Sequence, residues 1–231
     1  MADITIEGPG ASFAAYLALP ATTPAPGIVV AQEIFGVNQV MRDVCDWLAA
    51  QGYVACCPDI FWRIEPGIQL TDRTEAEWAR AFELFGLFDV DKGIEDLALS
   101  LARLRAHPAC TGAAGAIGYC LGGKLAYLMA TRSDSDCNVG YYGVGLEELL
   151  DEAPRITKPL MLHMAAKDAF SPPAAQAKIR AGLKDNPHVT IHVYEGQDHA
   201  FARPGGEHYD KAAADLANGR TLDFLKENLG S

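Results

Sequence analysis

What most constrains this chain is an alternation. Short apolar runs rich in β-branched residues take turns with longer segments whose apolar residues recur at helical spacing, the pattern of a mostly parallel sheet covered on both faces by helices. The central runs are "GIVVAQE" (Gly27 to Glu33), "YVACCPD" (Tyr53 to Asp59), "GAAGAIGY" (Gly112 to Tyr119), "KPLMLHMA" (Lys158 to Ala165) and "VTIHVYE" (Val189 to Glu195). "ITIEG" and "SFAAYLAL" read as an opening hairpin ahead of them. Between the strands, Val40, Met41, Val44, Cys45 and Leu48 mark one helix that stops at Gly52. Further helices are expected near 75–87, 90–106, 122–133, 173–184 and 209–227. The 231 residues suit one α/β domain running 1–231, and 49% hydrophobic residues suffice for its core. Trp62 to Trp78 is the longest stretch without periodicity and is read as a lid or pocket wall.

Charge and termini exclude several functions. A formal net charge of −11 repels polyanions, and no Lys/Arg cluster could track a phosphate backbone, so nucleic acid is not expected as a partner. "MADITIEGPG" has no basic n-region or apolar h-region, and no apolar run is long enough to span a bilayer. A soluble cytoplasmic protein without membrane association follows as the expectation, monomeric or weakly homo-oligomeric. The six cysteines lack scaffold spacing and are read as free thiols.

One of those thiols is placed unlike the rest. In "GYCLGG" Cys120 lies two residues from Gly118 and two from Gly122, between an apolar run and a helix-like run. Small residues there permit a tight strand-to-helix turn that projects residue 120 from the sheet edge, a nucleophile elbow with cysteine in place of serine. A helix starting near Leu121 would aim unpaired N–H groups and its positive dipole end at the sulfur. By itself the pentapeptide is equally compatible with a small apolar cysteine packed in a turn.

An elbow nucleophile needs a base and a group to orient it. Asp168 in "AKDAF" and His199 in "GQDHAFARP" follow in the order nucleophile, acid, histidine, each just past the carboxyl end of a strand. Separately, Asp168 could be a helix cap and His199 a surface loop residue; jointly they favour a Cys–His–Asp site. His163 and His192 lie inside strands and are read as packed residues. A zinc site on Cys120, Asp168 and His199 lacks the short local spacing of structural zinc ligands, so no metal and no cofactor is expected.

With "QEIFGVN" (Gln32 to Asn38), "GYCLGG", "GYYGVGLE" (Gly140 to Glu147) and "DHAFAR" (Asp198 to Arg203) in order, the chain resembles the dienelactone hydrolase family, the carboxymethylenebutenolidases, from roughly Ile4 to Leu225. The resemblance implies an α/β-hydrolase fold, and a carboxylic ester hydrolase of the kind that converts dienelactone to maleylacetate in aromatic degradation. It implies Cys120 as nucleophile, His199 as base and Asp168 as its orienter. Glu33 would hold the resting thiol's proton and swing away when substrate binds. Leu121 and Ile34 would supply the oxyanion-hole N–H groups, and Arg203 would grip the substrate carboxylate. Phe82 and Tyr142 are read as pocket-wall residues or core aromatics, and Phe35 as a substrate-binding residue. The chain departs from the family where a second carboxylate-binding arginine is typical: Trp78 stands there, with Arg80 nearby, and Ala200 replaces the serine after the catalytic histidine.

Three functions are therefore weighed. The first is a hydrolase that opens a small carboxylated enol lactone through a thioester. The second is a broader esterase or thioesterase on the same site, motivated by Trp78. The third is a non-catalytic ligand-binding or thiol redox-sensing module.

Overall fold

The computed structural model describes residues 2–230. Its strands are β1 (Ala2–Gly8), β2 (Ala11–Ala18), β3 (Ala25–Ala31), β4 (Val54–Pro58), β5 (Cys110–Tyr119), β6 (Asn138–Tyr141), β7 (Leu160–Ala165) and β8 (Val189–Tyr194). They form one eight-stranded sheet in the order β1-β2-β4-β3-β5-β6-β7-β8. The helices are α1 (Gln39–Ala50), α2 (Glu75–Leu87), α3 (Val90–Arg105), α4 (Leu121–Arg132), α5 (Pro173–Leu183) and α6 (Lys211–Leu229). Internal packing divides the chain within β5 into two compact units, the first ending at Ala116 and the second running Ile117–Gly230.

In the first unit β1 and β2 form the expected hairpin, with Ile4 opposite Ala15 and Ile6 opposite Phe13. β2 runs antiparallel to β4, which runs parallel to β3 with Ile28 opposite Ala55. All seven residues of β3 are buried, so it reads as an uninterrupted apolar run, as a strand covered on both faces should. The Asn38 side chain caps α1 by accepting the Met41 N–H at 3.2 Å, and the helix buries Met41, Cys45, Leu48 and Ala49. Thr74 caps α2 reciprocally with Glu77: the Glu77 N–H donates to the Thr74 hydroxyl, which donates to the Glu77 carboxylate.

The aperiodic stretch is strapped down along its length. Asp59 accepts the Gly67 N–H at 2.7 Å, the Asn38 side chain donates to the Leu70 carbonyl at 2.9 Å, and Leu70 N–H donates to Phe35 O at 2.8 Å. At its start Trp62 and Arg63 both donate to Asp96 on α3. Periodicity fails here because the backbone is satisfied by side chains and loops rather than by a ladder.

In the second unit β6, β7 and β8 are parallel, with Tyr141 opposite His163 and His163 opposite His192. β6 was not among the expected strands. Its four residues, one of them glycine, are too few to carry a periodic signal. α4 is buried along most of its length, and its last turn is tied to Glu152, which accepts from Thr131 at 2.8 Å and from Arg132. Among the described residues no helix is long and apolar enough to cross a membrane.

Candidate active site

The turn from β5 into α4 places the cysteine. A Cβ on Gly118 would meet the Gly122 carbonyl oxygen at 1.8 Å and its carbon at 2.2 Å, so only glycine permits this approach of strand and helix. Cys120 takes φ 56° and ψ −115°, a conformation disfavoured for any residue with a side chain. Its N–H donates to the Tyr141 carbonyl at 3.1 Å, and its carbonyl accepts the Lys124 N–H at 3.2 Å. α4 begins at the next residue, Leu121, so Cys120 stands at its positive end, next to the orphan N–H groups of its first turn.

His199 and Asp168 meet in the same unit. Asp168 follows β7 and is 2% exposed; its Oδ2 accepts from His199 Nδ1 at 2.8 Å. Its Oδ1 accepts the Phe170 N–H at 2.8 Å, so both carboxylate oxygens are engaged. The two loops are laced together by Ala166 N–H to Tyr194 O at 3.1 Å and Lys167 N–H to Gln197 O at 2.8 Å. The Cys120 thiol is the other hydrogen-bond partner of the His199 side chain. Burial opposes charge on His199, but the neighbouring Cys120 sulfur and the hydrogen bonds its ring makes to Asp168 and Cys120 outweigh it and push its pKa up to about 10. The ring thus sits between a carboxylate and a sulfur, both of which favour its protonated form.

The surroundings are aromatic and strained. Tyr142 stands edge-on to the His199 ring at 5.1 Å and Phe170 at 4.8 Å. Cys120, Tyr142 and Ala200 are the non-glycine residues with positive φ among those described, and all belong to this site. Strain of this kind persists only where the surroundings enforce it, and it gathers at functional sites. Phe170, 48% exposed, is a site residue that the sequence reading missed. Its signal was its place two residues after Asp168, where the chain turns back over the carboxylate. Arg203 follows in the same loop, half-buried, with its N–H donated to Ala200 O at 2.9 Å.

Other expected residues lie in the first unit. Glu33, Ile34 and Phe35 follow β3 and are all buried. Phe35 meets Trp78 edge-on at 5.0 Å, and Trp78 stacks on Phe82 at 5.6 Å, while the Trp78 indole N–H donates to Asp72 O at 3.0 Å. Arg80 is turned to two carboxylates, Glu83 at 2.5 Å and Glu65, so its charge is already paired. Among the described residues no three His, Cys, Asp or Glu side chains are grouped to hold a metal ion.

A mostly parallel sheet with a cysteine elbow after its fifth strand, and a histidine–carboxylate pair after later strands, is an α/β-hydrolase architecture. Residues 13–229 match the model of the dienelactone hydrolase family. A protein of Azospirillum brasilense named "Putative carboxymethylenebutenolidase" is 56% identical over the whole of both chains. The carboxymethylenebutenolidase of Pseudomonas putida is 44% identical over 94% of this chain and 92% of its own. A solved structure named "Putative Dienelactone Hydrolase", from Klebsiella pneumoniae, superposes with a TM-score of 0.87 at 27% identity, covering 98% of each chain. The chain belongs to the dienelactone hydrolase family, and with it to the carboxylic ester hydrolases. The expectation of a non-catalytic thiol module gives way to that finding.

Proposed function

We propose that the protein opens a small carboxylated enol lactone by attack of Cys120, through a thioester that water then hydrolyses. The observation that carries this reading is the hydrogen-bonded series Asp168, His199, Cys120, with the cysteine at the start of α4. The sulfur adds to the lactone carbonyl, the ring C–O bond breaks, and the electron pair leaves on the enol oxygen. Leu121 and Ile34 are proposed to donate their N–H groups to the carbonyl oxygen as it gains charge. A thiolate departs more readily than an alkoxide, so the tetrahedral adduct goes forward only when the other leaving group is also stable. An enolate meets that condition.

Deacylation follows from the electrostatics of His199. Once sulfur is acylated it carries no charge, and His199 loses an interaction that held its proton. Its affinity for protons then falls, it gives its proton to the departing enolate oxygen, and the neutral ring can take one from the attacking water. Water oxygen joins the acyl carbon, the C–S bond breaks, and sulfur leaves as thiolate to restore the pair. In the same reading Glu33 holds the resting thiol's proton, and Arg203 grips the substrate carboxylate. Phe35, Trp78, Phe82 and Tyr142 are the other substrate-binding residues of this proposal. The engagement of Arg80 by Glu65 and Glu83 argues that Arg203 serves without a second clamp. Six free thiols suit a reducing compartment, which supports a cytoplasmic setting.

Trp78 favours a second reading, a broader esterase on the same site that prefers activated neutral esters. The deciding experiment measures kcat/KM on dienelactone and on a neutral aryl ester of matched reactivity, with Cys120→Ala as the blank. Preference for the lactone supports the first reading and preference for the aryl ester the second. Full activity in Cys120→Ala refutes both.

A further inference from the structure

Beneath the cysteine–histidine site the second unit holds a chain of polar side chains, its middle members buried, that the reaction does not use. His163 on β7, fully buried, contacts the Tyr194 hydroxyl through Nδ1 at 2.7 Å and Thr221 Oγ1 through Nε2 at 3.0 Å. Thr221 on α6 also meets the Tyr141 hydroxyl at 2.6 Å, and Tyr141 donates to Asn218 Oδ1 at 3.0 Å. At the other end Arg220 hydrogen-bonds the Tyr194 side chain, with its guanidinium 5.4 Å above the ring.

The protons in this chain can be assigned by elimination. Arg220 only donates, so Tyr194 keeps its own proton for His163 Nδ1. That nitrogen must accept, which leaves the hydrogen on Nε2 to be donated to Thr221. Thr221 then donates to Tyr141, and Tyr141 to Asn218, as its geometry already indicates. In the reverse order the Tyr194 proton would point at a guanidinium that cannot accept it. Every donor is used only when His163 is neutral with its hydrogen on Nε2. Burial, helped by His192 and Arg220, holds the His163 pKa well below its ordinary value, in agreement.

The same residues hold the reacting groups through their backbones. The Tyr141 carbonyl accepts the Cys120 N–H at 3.1 Å, and the His163 carbonyl accepts the Tyr142 N–H at 2.7 Å. Tyr142, held at φ 37°, stands against His199. We propose that Thr221, His163 and Tyr194 form a positioning network that, through Tyr141 and Tyr142, fixes the Cys120 elbow and the His199 ring in reactive register. Its kinetic consequence rests on the Cys120 reading above; its proton arrangement does not.

The test has two arms. In two-bond ¹H–¹⁵N spectra of the wild-type protein, His163 should show a neutral ring protonated on Nε2, unchanged from about pH 5.5 to about pH 9. A hydrogen on Nδ1, or a titrating His163, overturns the network. In the second arm Thr221→Val keeps shape but removes the hydroxyl, and kcat on an activated ester should fall roughly tenfold or more while KM stays within about twofold. Thr221→Ser should restore kcat. Tyr194→Phe interrupts the same chain at its other end and carries the arm if Thr221→Val does not fold. Wild-type kcat in a folded Thr221→Val or Tyr194→Phe overturns the positioning role. Activity surviving in Cys120→Ala would instead remove the proposed reaction and leave the spectra to stand.

Discussion

Replacing Gly118 with alanine tests the elbow where its geometry is tightest. The added methyl would lie 1.8 Å from Gly122 O and 2.2 Å from Gly122 C, where ordinary contact begins at 3.4 Å. Both obstacles are backbone in the first turn of α4, so no side chain can swing aside. Overpacking against fixed atoms on this scale costs about 3–5 kcal/mol, at the upper end of single substitutions. For a chain of this length each kcal/mol moves the melting midpoint by about 2–4 °C, so a fall of roughly 6–20 °C is expected in a calorimetric scan. If the protein instead relieves the clash by sliding α4, the Leu121 N–H and the Cys120 sulfur move with it. Displacement of a reacting group by about 1 Å costs roughly a hundredfold in rate, so stability and activity cannot both survive. Gly196→Ala is the control: φ there is +79°, yet nothing lies within 4 Å of the new methyl, and backbone strain of about 1–2 kcal/mol is the whole cost. A Gly118→Ala protein that melts within about 2 °C of wild type, with kcat/KM within about twofold, would refute the geometric argument.

Alkylation of the native protein followed by peptide mass mapping should label Cys120 first. Cys45, Cys56, Cys57 and Cys137 should react only on unfolding, since all four are buried and burial pushes Cys137 to about 12 and Cys45 and Cys56 upward as well. The His199 pKa is raised in the folded state from 6.5 to about 10, so its contribution to stability is complete below about pH 6.5 and is lost as pH rises through 10. Urea midpoints taken at pH 6 and pH 10.5 should show that loss, and His199→Gln should flatten it. Phe170→Ala should raise KM for aryl esters several-fold while leaving the melting midpoint within a few degrees, because the ring is half exposed and the N–H that donates to Asp168 remains; an unchanged KM would remove Phe170 from the substrate pocket.

Much of the fold was legible because strand and helix differ in period, and each long element here carries enough residues to display its own. Ala25–Ala31 and Leu160–Ala165 are buried without interruption, so the sequence shows them as apolar runs. The elbow was legible for another reason: the glycine two residues before the cysteine, Gly118, is required by a contact that no larger residue allows. β6 was hidden by its brevity, and Phe170 because its one signal, a place two residues after Asp168, marks a turn and not a ring set against His199. The network around His163 was hidden by the distance between its parts. Thr221 and His163 lie 58 residues apart, and their pairing exists only once α6 has docked near β7.

That division has a physical reason. Backbone geometry is dictated by neighbours in sequence, so the turn that strains Cys120 is written within a few residues of it. The strain at Tyr142, beside Gly143, and at Ala200 is imposed from outside, at Tyr142 by a bond to the His163 carbonyl and at Ala200 in a loop pinned beside Asp168. A conformation that costs about 1–3 kcal/mol at each residue is kept only if surrounding contacts return more than that. The laced loops after β7 and β8, the fully engaged Asp168 carboxylate and the buried chain through Thr221 are those contacts. The stability of this half of the molecule and the placement of Cys120 and His199 are thus set by the same bonds, and loosening one should be felt in both.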